Sequence, residues 1–244
     1  MPLTLSLPAS IGANLDTVRA RIAEAARRCG RRADEVTLVA VSKTFSADHI
    51  RAARAAGQRD FGENKVQEGL QKIAETADIP DVTWHLIGHL QSNKAKKAAV
   101  SFGWLQSIDS VDLLQRVDAA AVAAGVRPSV LVQADLAGET TKFGAAEDEV
   151  ERLVRAALDA RAVRLQGLMI VPPWSEDAEL TRPWFIRLRS LRDRLIASGV
   201  PADGMRHLSM GMSHDFEAAI EEGATIVRVG TAIFGRRTYS ATRA

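Results

Sequence analysis

The sequence predicts an α/β fold: a single (β/α)8 TIM-type barrel with an extra N-terminal helix and no C-terminal β-domain. Three observations carry this reading. Short runs rich in β-branched residues alternate with Ala-, Leu- and Arg-rich stretches of helical period, the pattern of parallel βα units. Eight such runs are present, and each of the first seven is followed by a helical stretch. The length of 244 residues is ordinary for one barrel, and no repeat, low-complexity segment or linker divides residues 1–244. An open doubly wound sheet is the alternative arrangement of the same units.

The chain opens on a helix, within an extension over residues 1–35 expected to pack on the barrel. Ile11, Leu15, Val18 and Ile22 recur at spacings of four and three, Ser10 is placed to cap the helix, and Gly30 to end it. Strands are expected at Val36–Ser42, Arg59–Gly62, Thr83–Gly88, Trp104–Ile108, Ser129–Asp135, Arg164–Val171, His207–Met210 and Thr225–Val229. Helical stretches between them include Asp48–Ala56, Lys65–Ala77, Val111–Ala124 and Glu147–Ala160.

Composition narrows the function classes. The chain is 46% hydrophobic and 25% charged, enough for a sizeable core. Its 32 basic and 30 acidic residues nearly cancel. Arg187, Arg189, Arg192 and Arg194 interleave with Leu188, Leu191 and Leu195 as on an amphipathic helix, so nucleic acid is not the expected partner. Cys29 is the only cysteine, which excludes an intrachain disulfide and a Cys-rich metal site. The N-terminus reads as no signal peptide, and no apolar run approaches the ~18 residues of a membrane helix. A cytoplasmic protein without membrane association is expected.

The first strand runs straight into Lys43-Thr44. A lysine there sits at the carboxyl end of a barrel strand, the face on which barrel chemistry is built. Apolar walls would favour its neutral amine and so its attack on an aldehyde. The plainer reading is a lysine that snorkels into solvent.

Two glycine-containing elements lie near the other end of the chain, Leu208–Ser213 and Ile226–Gly235. Each places a hydroxyl, Ser213 or Thr231, where a strand hands over to a helix, and Gly230 precedes Thr231. Backbone N–H groups at such a junction suit a phosphate, and barrels often hold phosphate after strands seven and eight. An ordinary N-cap would equally explain Ser213, and a tight turn would explain Gly230-Thr231. In a closed barrel the eighth strand pairs with the first, which would make Lys43 and Gly230-Thr231 neighbours. An amine beside a phosphate cradle is what a phosphorylated aldehyde requires. Arg228, between Val227 and Val229 in an apolar strand, needs a partner there, either a ligand or a buried salt bridge.

Asn64 closes the second strand, and with Gln67 it has the form of a capping box, to which a ligand contact would be added. His85 and His89 lie four apart, but on an expected strand their side chains would not converge on a metal, which leaves a binding role on the rim.

Together these segments closely resemble the pyridoxal phosphate homeostasis proteins, also called proline synthase co-transcribed-like proteins. The matching blocks are Val39-Ala40-Val41-Ser42-Lys43-Thr44, Phe61-Gly62-Glu63-Asn64, Trp84–Lys94, Gly167-Leu168-Met169, Leu208–Ser213 and Val227–Gly235. The family barrel is similar to the N-terminal domain of alanine racemase. The resemblance implies pyridoxal 5′-phosphate (PLP) as cofactor, held as a Schiff base on Lys43. It implies ring-nitrogen contact from Arg228, phosphate contacts from Ser213, Gly230 and Thr231, and Asn64 lining the same pocket.

A racemase of the similar fold draws a second base, a tyrosine, from an added β-domain. Here the only tyrosine is Tyr239, near the end of the chain. Storage, buffering or delivery of PLP is therefore expected, by a monomer, with PLP-dependent apo-enzymes or vitamin B6 enzymes as partners. A weak amino-acid racemase is the enzymatic alternative, and a Schiff-base aldolase acting on a phosphorylated sugar is a third.

Overall fold

Thr37, Leu38, Val39 and Ala40 on the first strand pair in parallel with Ile226, Val227, Arg228 and Val229 on the last. This seam closes the sheet of the computed structural model, which describes residues 7–138 and 143–235. Among those residues eight parallel strands form the barrel. They are β1 (Thr37–Val41), β2 (Asp60–Glu63), β3 (Thr83–Leu86), β4 (Trp104–Ile108), β5 (Ser129–Asp135), β7 (Arg164–Met169), β8 (His207–Ser209) and β9 (Ile226–Val229). The two-residue β6 (Ala145–Ala146) lies only beside the end of β5. Both the β4–β5 and the β1–β9 pairings are present, so the open-sheet alternative does not apply.

Strands covered on both faces read as apolar runs, and β1 shows what each face does. Leu38 and Ala40 join the main core beneath the helices, whereas Val39 packs in a separate inner group with Leu131, Met169 and Ile226. Several strands end earlier than the apolar pattern suggests. The residues beyond β3 and β7 leave the ladder to build rim loops, although Ile87 N still donates to Glu63 O.

The outer layer consists of α2 (Ala47–Ala55), α3 (Val66–Glu75), α4 (Ala95–Ser101), α5 (Val111–Ala124), α6 (Glu147–Leu158), α7 (Arg182–Ala197), α8 (Phe216–Glu221) and α9 (Thr231–Phe234). The added helix, α1 (Leu7–Arg28), buries Ile11, Leu15, Val18 and Ile22 and packs on α2, α8 and α9, the helices flanking the seam. Asn14 Nδ2 ties it to Ile233 O at 2.8 Å. Ser10 does not cap this helix: it begins at Leu7, and Ser10 Oγ donates back to Leu7 O. Gly30, with φ at +72°, does lie just past its end.

The arginine-rich segment is α7, with Leu188, Leu191 and Leu195 buried. Its arginines meet carboxylates: Arg187 and Arg194 both reach Glu147, Arg189 reaches Glu222, and Arg192 reaches Asp193. Burial works against the charge on Glu147, but its two arginine partners outweigh that and hold the carboxyl below its usual range.

Candidate functional site

The site begins where β1 stops. Ser42 N continues the ladder to Gly62 O at 3.0 Å, and half-buried Lys43 follows at the carboxyl end of the barrel. Thr44 then turns the chain with φ at +71°. A β-branched residue in the left-handed region costs about 1–3 kcal/mol and persists only where its surroundings hold it. Here Thr44 N donates to Glu68 Oε1, and Phe45 N to Ser42 O.

Glu68 is itself held by Lys72, a cation with only 6% of its side chain exposed. Lys72 Nζ donates to Ser42 O (2.7 Å), Glu63 Oε1 (2.7 Å) and Glu68 Oε1 (2.8 Å), which uses all three of its protons. Ser42 Oγ donates to the same Glu63 oxygen. Burial pushes the Glu63 carboxyl up, against the bonds from Lys72 and Ser42. Burial also works against Glu68, but its bonds from Lys72 and Thr44 win and lower it. The backbone on either side of Lys43 is thus clamped from α3.

Across the seam, β9 leads through Gly230 into α9. A Cβ at position 230 would sit 3.2 Å from Val41 O, so this bare backbone lies directly against the end of β1. Gly230 N donates to Ser213 Oγ at 3.2 Å, which joins the two glycine-containing elements. Ser213 is not an N-cap, because α8 starts at Phe216 behind Asp215. Buried Asp215 instead accepts from Met212 N and so shapes the loop that carries Ser213. Thr231 is exposed and is the first residue of α9, where the opening N–H groups of a helix have no intrahelical acceptor.

Arg228 is 4% exposed. Its Nη1 donates to Ser209 Oγ (2.6 Å) and its Nη2 to Ile170 O (2.8 Å). Among the described residues no carboxylate lies within 4.0 Å of it, so the salt bridge to a neighbouring strand is not formed. Burial pushes this guanidinium down to about 10, with the charge of Asp215 opposing.

Asn64 and Gln67 form no capping box, since α3 begins at Val66 behind Lys65 with no side-chain cap. Asn64 faces the cavity instead, and its backbone is packed so tightly on Gly88 that a Cβ there would collide with the Asn64 carbonyl. His85 and His89 diverge. His85 bonds to Asp60 and Gln106, while His89 lies 3.3 Å from Asp109 and stacks on Phe143.

Lys43, Asn64, Ser213, Arg228, Gly230 and Thr231 therefore line one cavity of about 330 Å³. It brings together an amine, a guanidinium, an amide and a set of backbone and hydroxyl donors, a donor set matched to an anionic ligand with a carbonyl. Phe45, Trp174 and His214 also line it and were not expected from the sequence. Trp174, 69% exposed at the rim, follows Pro172-Pro173 in a segment with no periodicity to mark it. His214 could have been suspected from its place beside Ser213. Tyr239 lies outside the described residues.

The family model for the alanine racemase N-terminal domain matches residues 13–238. The pyridoxal phosphate homeostasis protein of Pseudomonas aeruginosa is 45% identical over 233 residues, 95% of this chain and 98% of that one. Its namesake in Escherichia coli is 42% identical, with 94% and 98% covered. Among solved structures, PipY of Synechococcus elongatus with PLP bound is similar at a TM-score of 0.82 and 39% identity, covering 92% of this chain and 100% of that one. The alanine racemase of Streptomyces coelicolor, at 24% identity and TM-score 0.70, shares the fold over 94% of this chain and 59% of that one. Sequence, architecture and the cavity at the seam agree, and the chain belongs to the pyridoxal phosphate homeostasis proteins, within the alanine racemase N-terminal domain family.

Proposed function

We propose that this protein binds PLP in the seam cavity, with Lys43 as its covalent anchor, and buffers or delivers the cofactor. One observation carries the reading: Lys43, at the end of the first barrel strand, and Ser213, Gly230 and Thr231, after the last two barrel strands, line the same cavity. The residues fit the group. The opening N–H groups of α9, beside the Gly230–Val41 contact, and the Ser213 and Thr231 hydroxyls are donors suited to a phosphate, the Lys43 turn is fixed from behind, and Arg228 offers a cation that is already desolvated. Lys43 would hold the group covalently, since PLP would supply an aldehyde able to form an imine with its amine, with water as the leaving group. Arg228 would face the ring nitrogen and so disfavour its protonation, and Asn64 would line the same pocket.

The carrier role extends to partners. We take PLP-dependent apo-enzymes as recipients, in the cytoplasm, and a monomer as the working form. The exposure of Thr231 and Trp174 at the cavity mouth supports exchange of the ligand with the outside.

Titration with PLP and with pyridoxal tests the reading. PLP is expected to bind at least about tenfold more tightly, because the unphosphorylated aldehyde leaves the cradle without its anion. Equal affinities would contradict it.

A further inference from the structure

Arg228 is one end of a hydrogen-bond chain that crosses the bore of the barrel. Its Nη1 reaches Ser209 Oγ (2.6 Å), and Ser209 Oγ reaches Gln106 Oε1 (2.6 Å). Gln106 Nε2 reaches His85 Nδ1 (2.9 Å), and His85 Nε2 reaches Asp60 Oδ1 (2.9 Å). The five residues come from β9, β8, β4, β3 and β2. Ser209, Gln106 and His85 are buried, while Asp60, at the amino-terminal start of β2, is 28% exposed on the side of the barrel away from the cavity.

Donors along this chain point one way. A guanidinium cannot accept, so Ser209 Oγ accepts from Arg228 and gives its single proton to Gln106 Oε1. That orients the Gln106 amide, whose Nε2 must donate to His85 Nδ1. His85 is thereby the neutral tautomer that carries its proton on Nε2 and donates it to Asp60. Each link donates from the cation toward the carboxylate, the sense in which such bonds strengthen one another in a low-dielectric interior. Trp104 stacks on the His85 ring at 5.5 Å and meets His207 edge-on, which holds the ring plane so that both nitrogens stay on their partners.

We propose that Ser209, Gln106 and His85 are positioning residues for Arg228, and that they set, from the far mouth of the barrel, how its remaining N–H groups meet the ring nitrogen of bound PLP. This rests on the binding reading above. Arg228 has no carboxylate within 4.0 Å among the described residues, so the acceptors that fix its orientation are Ser209 Oγ and Ile170 O. Of these, only Ser209 depends on a side-chain chain that can be interrupted at a distance. A break at His85 leaves the Gln106 amide free to turn, and Ser209 then loses the acceptor that makes it an acceptor for Arg228.

The test compares His85→Leu, His85→Gln and Ser209→Ala by the visible absorption maximum of protein-bound PLP and by PLP affinity, with circular dichroism to check the fold. His85→Leu is expected to move the maximum and weaken PLP about tenfold. His85→Gln, whose amide can accept from Gln106 and donate to Asp60, is expected to keep both near wild type. Ser209→Ala, a small change that preserves packing, is expected to match His85→Leu and stands in for it if that variant does not fold. A folded His85→Leu or Ser209→Ala protein with wild-type spectrum and affinity would overturn the relay. So would a His85→Gln protein indistinguishable from His85→Leu, which would assign the effect to packing. A wild-type protein that takes up no PLP would instead overturn the binding reading itself, and the relay with it.

Discussion

Lys72 Nζ sits 2.7 Å from the carbonyl oxygen of Ser42, one residue before the lysine at the cavity. A helix side chain thus grips the backbone of the strand end it packs against, and the same ammonium holds Glu68, which in turn holds Thr44 N on the other side of Lys43.

Removing that cation should be severe. Lys72→Met leaves the buried Glu63 carboxyl without its main donor, and breaking a buried pair by deleting one partner costs about 3–5 kcal/mol. Urea unfolding is expected to show a loss of that size. A loss below about 1 kcal/mol would mean that the cluster carries little of the turn's stability.

The pH dependence of the turn follows from Glu68. Its folded pKa lies below the ordinary value of about 4.3, because the Lys72 and Thr44 bonds outweigh burial. A depressed carboxyl contributes stability that is complete above the unfolded value and is lost as pH falls through the folded one. The stability gap between wild type and Glu68→Gln should therefore be open at about pH 7 and close as pH falls below about 4. Unfolding curves across that range check it, and a gap that widens toward acid would contradict the sign.

The cradle makes its own demand. Loss of one hydrogen bond to a charged group costs about 1.5–3 kcal/mol, so Thr231→Ala should weaken PLP about ten- to a hundred-fold while leaving pyridoxal affinity nearly unchanged. Equal losses for both aldehydes, measured by absorbance titration, would remove Thr231 from the phosphate site.

Much of this was legible in the sequence because it is local. Val36–Ser42 is an apolar run that ends in Lys43, and Ile226–Val229 is one that ends in Gly230-Thr231, so closure of the barrel was enough to make them neighbours. The helix starts were less legible than the ends, where Gly30 does follow α1. Ser10, Ser213 and the Asn64/Gln67 pair are good capping residues by type, but α1, α3 and α8 start at Leu7, Val66 and Phe216 instead. The relay was hidden for another reason. Asp60, His85, Gln106 and Ser209 each look like an isolated polar exception in a different strand, and only the curvature of the closed sheet turns them toward one another. Lys72 and Glu68, four apart on α3, carry the pattern of a surface pair and gave no sign that they reach under the Lys43 turn.

Delivery is open to direct measurement. Protein loaded with PLP is expected to restore apo-enzyme activity faster than free PLP at matched concentration, and to run as a monomer in light scattering. Transfer no faster than from free PLP would reduce the role to storage. Amino-acid racemisation at about 1 per second or faster, lost in Lys43→Ala, would point to an enzyme instead.

The central claim is that Lys43 is the covalent anchor of PLP. Borohydride reduction of the PLP-loaded protein, followed by peptide mass spectrometry, tests it most directly. The expected result is a pyridoxyl-phosphate mass on the peptide that contains Lys43, absent from Lys43→Ala. The same mass confined to Lys65, Lys72 or Lys94, with Lys43 unmodified, would contradict it.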